Sequence, residues 1–156
     1  MDCPICSWSP DNSDYPLLFA TSVWRVVLAP NQSLLGKCVI HLKRHAGDLA
    51  NLTQDEAVGW LEIVQTVEAG VRTAFGAAMF NWSCLMNLSY RESSPNPHIH
   101  WWAVPRYNRS VTIDDWVFED PLFGNPYDHD RHVIVPQEIR HQIVSRLQNA
   151  LLGEVR

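Results

Sequence analysis

Pro97-His98-Ile99-His100-Trp101-Trp102-Ala103-Val104-Pro105-Arg106 is the stretch on which the reading of this chain turns. Apolar and aromatic residues surround two histidines two positions apart, a composition that reads as a β-strand. Alternate side chains of a strand share a face, so the spacing predicts that His98, His100 and Trp102 project together. An imidazole held on a rigid strand can act as nucleophile, as general acid or base, or as metal ligand. A bare His-x-His also occurs as two hydrogen-bonded histidines in a half-buried strand, so the rest of the chain has to decide.

Working outward, Phe80 to Leu88 alternates. Phe80, Trp82, Cys84, Met86 and Leu88 form one face, and Asn81, Ser83, Leu85 and Asn87 a mostly polar other face, as in a half-buried antiparallel strand. Arg91 to Asn96 is a polar loop leading into the histidine strand. Val23 to Leu28 reads as a strand interrupted by Arg25, Pro30 to Ser33 as a turn, and Lys37 to Leu42 as the next strand. Thr53 with Glu56 three residues on is a capping box. Ala57, Trp60, Leu61, Val64, Val67, Val71, Ala74 and Phe75 then trace the stripe of an amphipathic helix. Gly70 interrupts that helix and Gly76 stops it. Ile139, Ile143, Leu147 and Leu151 define a C-terminal helix with Pro136 at its start. These readings predict an α+β fold, an antiparallel sheet with helices packed on it.

The 156 residues, 46% hydrophobic, suit a single domain over 1–156. A formal net charge of −5 argues against a nucleic-acid partner held by a broad basic surface, yet leaves room for a small phosphate-bearing ligand. No apolar run is long enough to span a bilayer, so no membrane partner is expected. Met1-Asp2-Cys3-Pro4 lacks the basic-then-apolar order of a secretory signal, and a cytoplasmic location is the expectation. Seven tryptophans are many for this length, so some are expected in an interface or a pocket. Cys3 and Cys6 form a Cys-x-x-Cys, read as half a zinc site, a redox pair or an unpaired knuckle. A redox pair would follow a strand, and no strand precedes Cys3, which favours zinc.

In order along the chain stand Cys3-x-x-Cys6, Val39-Ile40-His41-Leu42-Lys43-Arg44-His45, Leu52-Thr53-Gln54-Asp55-Glu56, Asn87 and His98-Ile99-His100-Trp101-Trp102-Ala103-Val104-Pro105-Arg106. In this order and spacing the sequence resembles the histidine triad (HIT) superfamily of nucleotide hydrolases and transferases over about residues 3–107. Residues 108–156 are then an extension ending in the terminal helix. The resemblance implies a five-stranded antiparallel sheet with a long helix and a C-terminal helix, and a homodimer. It implies a nucleotide or dinucleoside polyphosphate as substrate and His100 as the nucleophile that attacks the α-phosphorus. Neutral imidazole is nucleophilic near neutral pH, and a backbone carbonyl bonded to Nδ1–H would present Nε2 for attack.

The resemblance also places Asn87 at a phosphate-contacting position, with Ser93 and Ser94 as further donors; both serines are also ordinary turn residues. It implies a structural Zn2+ held by Cys3, Cys6, His45 and His98. His41 is assigned no role, and Asp128-His129-Asp130-Arg131-His132 reads as a solvated turn. The sequence departs from the pattern in two places. Trp102 stands at the third triad position, where it offers an N–H donor toward substrate but no titratable proton. Ala29 stands where hydrolases of the superfamily carry a ribose-binding Asp or Asn, with Asn31 as the nearest substitute. The leading expectation is a nucleotide hydrolase. Two alternatives remain: a non-catalytic nucleotide-binding or interaction protein, and a nucleotidyl transferase.

Overall fold

A computed structural model describes residues 3–154. Strands β1 (Leu17–Ala20), β2 (Trp24–Leu28) and β3 (Cys38–Leu42) lead into helix α1 (Gln54–Phe75). Strands β4 (Met79–Ser83), β5 (His100–Arg106), β6 (Val111–Ile113) and β7 (Trp116–Phe118) follow, and helix α2 (Gln137–Glu154) ends the fold. The first five strands form one antiparallel sheet in the order β1-β2-β3-β5-β4, and β6 and β7 form a separate hairpin. The expected α+β architecture, a five-stranded antiparallel sheet with a long and a C-terminal helix, is the one found.

The capping box at the start of α1 is complete. The Thr53 hydroxyl accepts from the Glu56 amide, and the Glu56 carboxylate accepts from the Thr53 amide. Gly76 closes the helix in the left-handed region, at φ 73°. The buried stripe is shifted from the expected one. Ile63, Val67, Val71 and Phe75 are enclosed, whereas Ala57 and Leu61 face outward. Gly70 owes its place to α2, since a Cβ there would lie 2.5 Å from the buried Leu151 Cδ2. Ile139, Ile143, Leu147 and Leu151 all enter the same core as α1 and the sheet.

That core fills one face of the sheet. Trp24, Val26 and Leu28 of β2, Cys38, Ile40 and Leu42 of β3, and Ala103 of β5 point into it. Four tryptophans thread the layer between sheet and helix. Trp60 of α1 lies 5.7 Å from Trp24, 5.2 Å from Trp82 and, stacked, 4.3 Å from Trp101 between ring centroids.

The structure departs from the sequence reading in two places. Leu17–Ala20, which carries no alternating signal, is the edge strand β1. The alternation from Phe80 to Leu88 stops being a strand at Ser83, and Asn87 opens a 3-10 turn over Asn87–Arg91 instead of standing on a strand face. His98 and Ile99 precede the regular strand, which begins at His100; Ile99 enters the core, and His98 and His100 line one cavity.

Candidate active site

On the sheet face away from α1, cross-strand register sets side chains in rows. Arg25 pairs with His41 and His41 with His100 in the first row. Val27, Val39, Trp102 and Ser83 follow in the next. His100 is half-buried at the start of β5, and its Nδ1 lies 2.8 Å from the backbone oxygen of His98. A carbonyl oxygen only accepts, so the proton sits on Nδ1 and the lone pair is left on Nε2. His100 lines a cavity of about 460 Å³ together with Ser94, Asn96 and the apolar Ile5, Leu85 and Met86. Asn87 and Ser93 are exposed on the same loop and do not line the cavity.

Behind His100, four ligand atoms converge. Cys3 Sγ, Cys6 Sγ, His45 Nδ1 and His98 Nδ1 all lie within 4.8 Å of one another. His45 and His98 nitrogens are 3.2 Å apart, and the Cys3–His98, Cys6–His45 and Cys6–His98 sulfur-to-nitrogen separations are 3.2–3.4 Å. A tetrahedron with Zn–N near 2.05 Å and Zn–S near 2.3 Å has edges of about 3.3 Å and about 3.6 Å, so the set can hold a metal ion of that size. His98 Nε2 lies 2.7 Å from the Leu42 carbonyl, which places its proton there and turns the Nδ1 lone pair toward the ligand cluster. His98 therefore joins two tasks, with its ring facing the metal-ligand set and its backbone oxygen orienting His100.

Trp102 is half-buried against Val27, Ala29 and Val39. Lys37 Nζ lies 4.8 Å from its ring centroid and 5.9 Å from that of Tyr127. Burial lowers the Lys37 pKa, and no ion pair among the described residues offsets it. Tyr127 is brought there by the chain after β7. Arg106, 1% exposed, binds Asp120 at 2.7 and 3.1 Å, Asn81 at 2.9 Å, and the Leu122 and Asn125 carbonyls. That network pins the 120–127 loop across the sheet.

The nucleoside end of the expected site is changed. Ala29 is fully buried. Asn31, its nearest substitute, is committed to its own loop: its side chain donates to the Arg131 carbonyl and accepts from the Ser33 and Val133 amides. Two residues at the site carried no expected role. Arg25 and His41 flank His100 on the sheet, and the signal was present as a cation breaking one apolar strand and a histidine inside another. His41 is 5% exposed, and its pKa is pushed down to about 3 by burial and then by His100 and Arg25, so the ring is neutral.

No protein-family model matches the sequence, and no curated protein matches it. Solved structures do match by shape. The chain is similar to a hypothetical histidine triad nucleotide-binding protein from Sulfolobus tokodaii, at 13% identity and TM-score 0.72, over 97% of this chain and 93% of that one. A zinc-bound histidine triad family protein from Mycobacterium smegmatis matches at 17% identity and TM-score 0.57, over 88% and 84%. A structure described as a uridylyltransferase matches at 14% identity and TM-score 0.56, over 90% of this chain and 42% of that one. The chain has the histidine triad fold. Within that fold it carries the sequence His-x-His-x-Trp in place of three alternating histidines.

Proposed function

We propose that this protein is a nucleotide hydrolase that cleaves at the α-phosphorus of a nucleotide or dinucleoside polyphosphate through a nucleotidyl-histidine intermediate. The observation that carries this is His100, with Nδ1 held by the His98 carbonyl and Nε2 left free beside a cavity. Nε2 attacks phosphorus, a P–N bond forms, and the P–O bond to the leaving group breaks with the electron pair leaving on that oxygen. Water then attacks phosphorus and cleaves the P–N bond; it gives up a proton, and the nucleoside monophosphate leaves. Trp102 has no titratable proton, so the reaction suits leaving groups that depart as stable anions. Ser94, which lines the cavity, and Asn87 and Ser93 on the loop beside it contact the phosphates in this reading; Trp102 forms the wall next to them.

Zinc is the metal we assign to Cys3, Cys6, His45 and His98. Two thiolates and two imidazoles match its preferences, and four protein ligands leave no open position, which makes the site structural. When bound, the ion ties the N-terminal knuckle to His98 and so steadies the carbonyl that orients His100. We also propose a homodimer, supported by the edge position of β4 and by Val58 and Leu61, which are 54% and 57% exposed on α1. No helix among the described residues is long and apolar enough to cross a membrane. The proposed place of action is the cytoplasm.

Transfer to an acceptor phosphate is a second reading, supported by the likeness to the uridylyltransferase fold. Quenched reactions with radiolabelled nucleotide substrates, run with and without a sugar phosphate, separate the two by product. Acid-labile label on the wild type and none on His100→Ala supports the intermediate. Turnover surviving in His100→Ala refutes the assignment, and binding of nucleoside monophosphate without any label or turnover in the wild type points to the non-catalytic alternative.

A further inference from the structure

A polar group shut away from water without a partner is costly, and native folds contain few. Among the described side chains only His41 Nδ1 and Trp101 Nε1 are in that state. Among the described residues His41 finds no hydrogen-bond partner for either nitrogen. An unpaired buried lone pair is tolerated better than an unpaired buried N–H. The proton of this neutral ring therefore belongs on Nε2, the nitrogen that is not enclosed, which makes His41 a donor in search of an acceptor.

Its two neighbours in the sheet row are His100 and Arg25. Arg25 is half-buried and makes no ion pair among the described residues. Its guanidinium lies 4.2 Å over the Trp8 ring and reaches the Ile5 carbonyl at 3.4 Å. Burial lowers its pKa, so the cation is held there at a cost. Ile5 sits between Cys3 and Cys6, so the metal-ligand knuckle itself fixes the guanidinium. The five strands of the sheet contain no acidic residue, although the protein carries a net charge of −5. The row thus presents a cation, a neutral N–H donor and the lone-pair-bearing His100, with no carboxylate in the row itself; the nearest acid along the cavity that His100 lines is Glu92, on the loop before the strand.

We propose that Arg25 and His41 form a phosphoryl-oxygen site beside His100, binding the nonbridging oxygens of the group His100 attacks. This deepens the reading of His100 above and rests on it for the chemistry, though not for the binding. Negative charge on those oxygens is what preorganised donors stabilise best, and contacts to an anion are about twice as strong as neutral ones. The site also gives this chain a phosphate clamp drawn from β2 and β3, where the third triad position on β5 has become Trp102.

Calorimetric titration of the metal-loaded full chain with AMP, GMP, CMP, UMP, inorganic phosphate and the free nucleosides tests it. Arg25→Gln and His41→Leu are each expected to weaken the best nucleoside monophosphate at least about tenfold, with nucleoside affinity unchanged. Arg25→Lys and His41→Gln, which keep charge or an N–H donor, are expected to recover part of the loss. They also serve if the first pair fails to fold. The site is refuted if the variants bind monophosphate within twofold of wild type. It is equally refuted if nucleoside affinity falls in parallel, or if the wild type binds neither a monophosphate nor phosphate. Turnover surviving in His100→Ala would overturn the nucleophile and leave the anion site standing.

Discussion

The two faces of the central sheet share backbone and hydrogen bonds but are built to opposite rules. Toward α1, Trp24, Val26, Leu28, Ile40, Leu42 and Ala103 are almost wholly enclosed by apolar neighbours. Across the same strands, Arg25, His41, His100 and Trp102 bring polar or charged groups together, and His41 Nδ1 is enclosed without a hydrogen-bond partner. Stability is concentrated on the first face and the candidate chemistry on the second. The strands tolerate the second because their register is fixed by the first: a one-residue slip would carry Arg25 and His41 into the core.

The sharpest way to break that comparison is to remove one central residue from each face. His100→Ala is expected to lower kcat/KM at least about a thousandfold, since it deletes the attacking atom, while the thermal midpoint stays near that of wild type. Trp24→Ala is expected to do the reverse. Its ring is fully buried and its Nε1 donates to the Glu56 carbonyl at 3.0 Å. The substitution costs about 3–5 kcal/mol by denaturant unfolding, with kcat/KM of the folded fraction within a fewfold of wild type. Equal losses of stability in both variants would show that the faces are not separable.

The helix face was also the legible one. The apolar runs of β2 and β3, the Thr53–Glu56 box and the spacing of Ile139, Ile143, Leu147 and Leu151 are local signals, and each corresponds to an element. What failed to show in sequence depends on contacts distant along the chain. Leu17–Ala20 becomes a strand because β2 offers it an edge, not because it alternates. Asn87 leaves its expected strand because the chain must turn after Ser83 to bring His98 against Leu42 and Ala46. The convergence of Cys3, Cys6, His45 and His98 was suggested by family resemblance; their separations come only from the structure. Arg25 and His41 looked like blemishes in apolar strands because register, which sets them beside His100, is invisible in one sequence.

A smaller test concerns where α1 meets α2. Gly70→Ala improves helix propensity by up to about 1 kcal/mol, yet its methyl would meet Leu151 Cδ2 at 2.5 Å. Leu151 is 2% exposed and cannot swing clear, so overpacking wins. We expect a net loss of about 1–2 kcal/mol in denaturant unfolding, and Gly70→Ala with Leu151→Ala to recover the steric part of it. A more stable single variant would mean that α2 is free to slide on α1, and with it the loops that α2 anchors.

The smallest effect lies at the start of α1, well away from the histidine row, and is read through pH. Glu56 is held down to about 2 from an ordinary 4.5, first by its hydrogen bonds from Arg44, one of them 2.7 Å, and further by the Thr53 amide. A carboxyl whose folded pKa lies below its unfolded one stabilises the fold above the unfolded value and loses that contribution as pH falls toward the folded one. The wild type should therefore shed part of its stability between about pH 5 and about pH 2 in a way that Glu56→Gln does not. Thermal melting of the two proteins across that range should show curves that converge in acid and separate near neutrality. At pH 7 the variant should melt lower with unchanged kcat/KM, because the box it weakens supports the helix face alone. A change in turnover at constant stability would instead tie the start of α1 to the histidine row and erase the division between the faces.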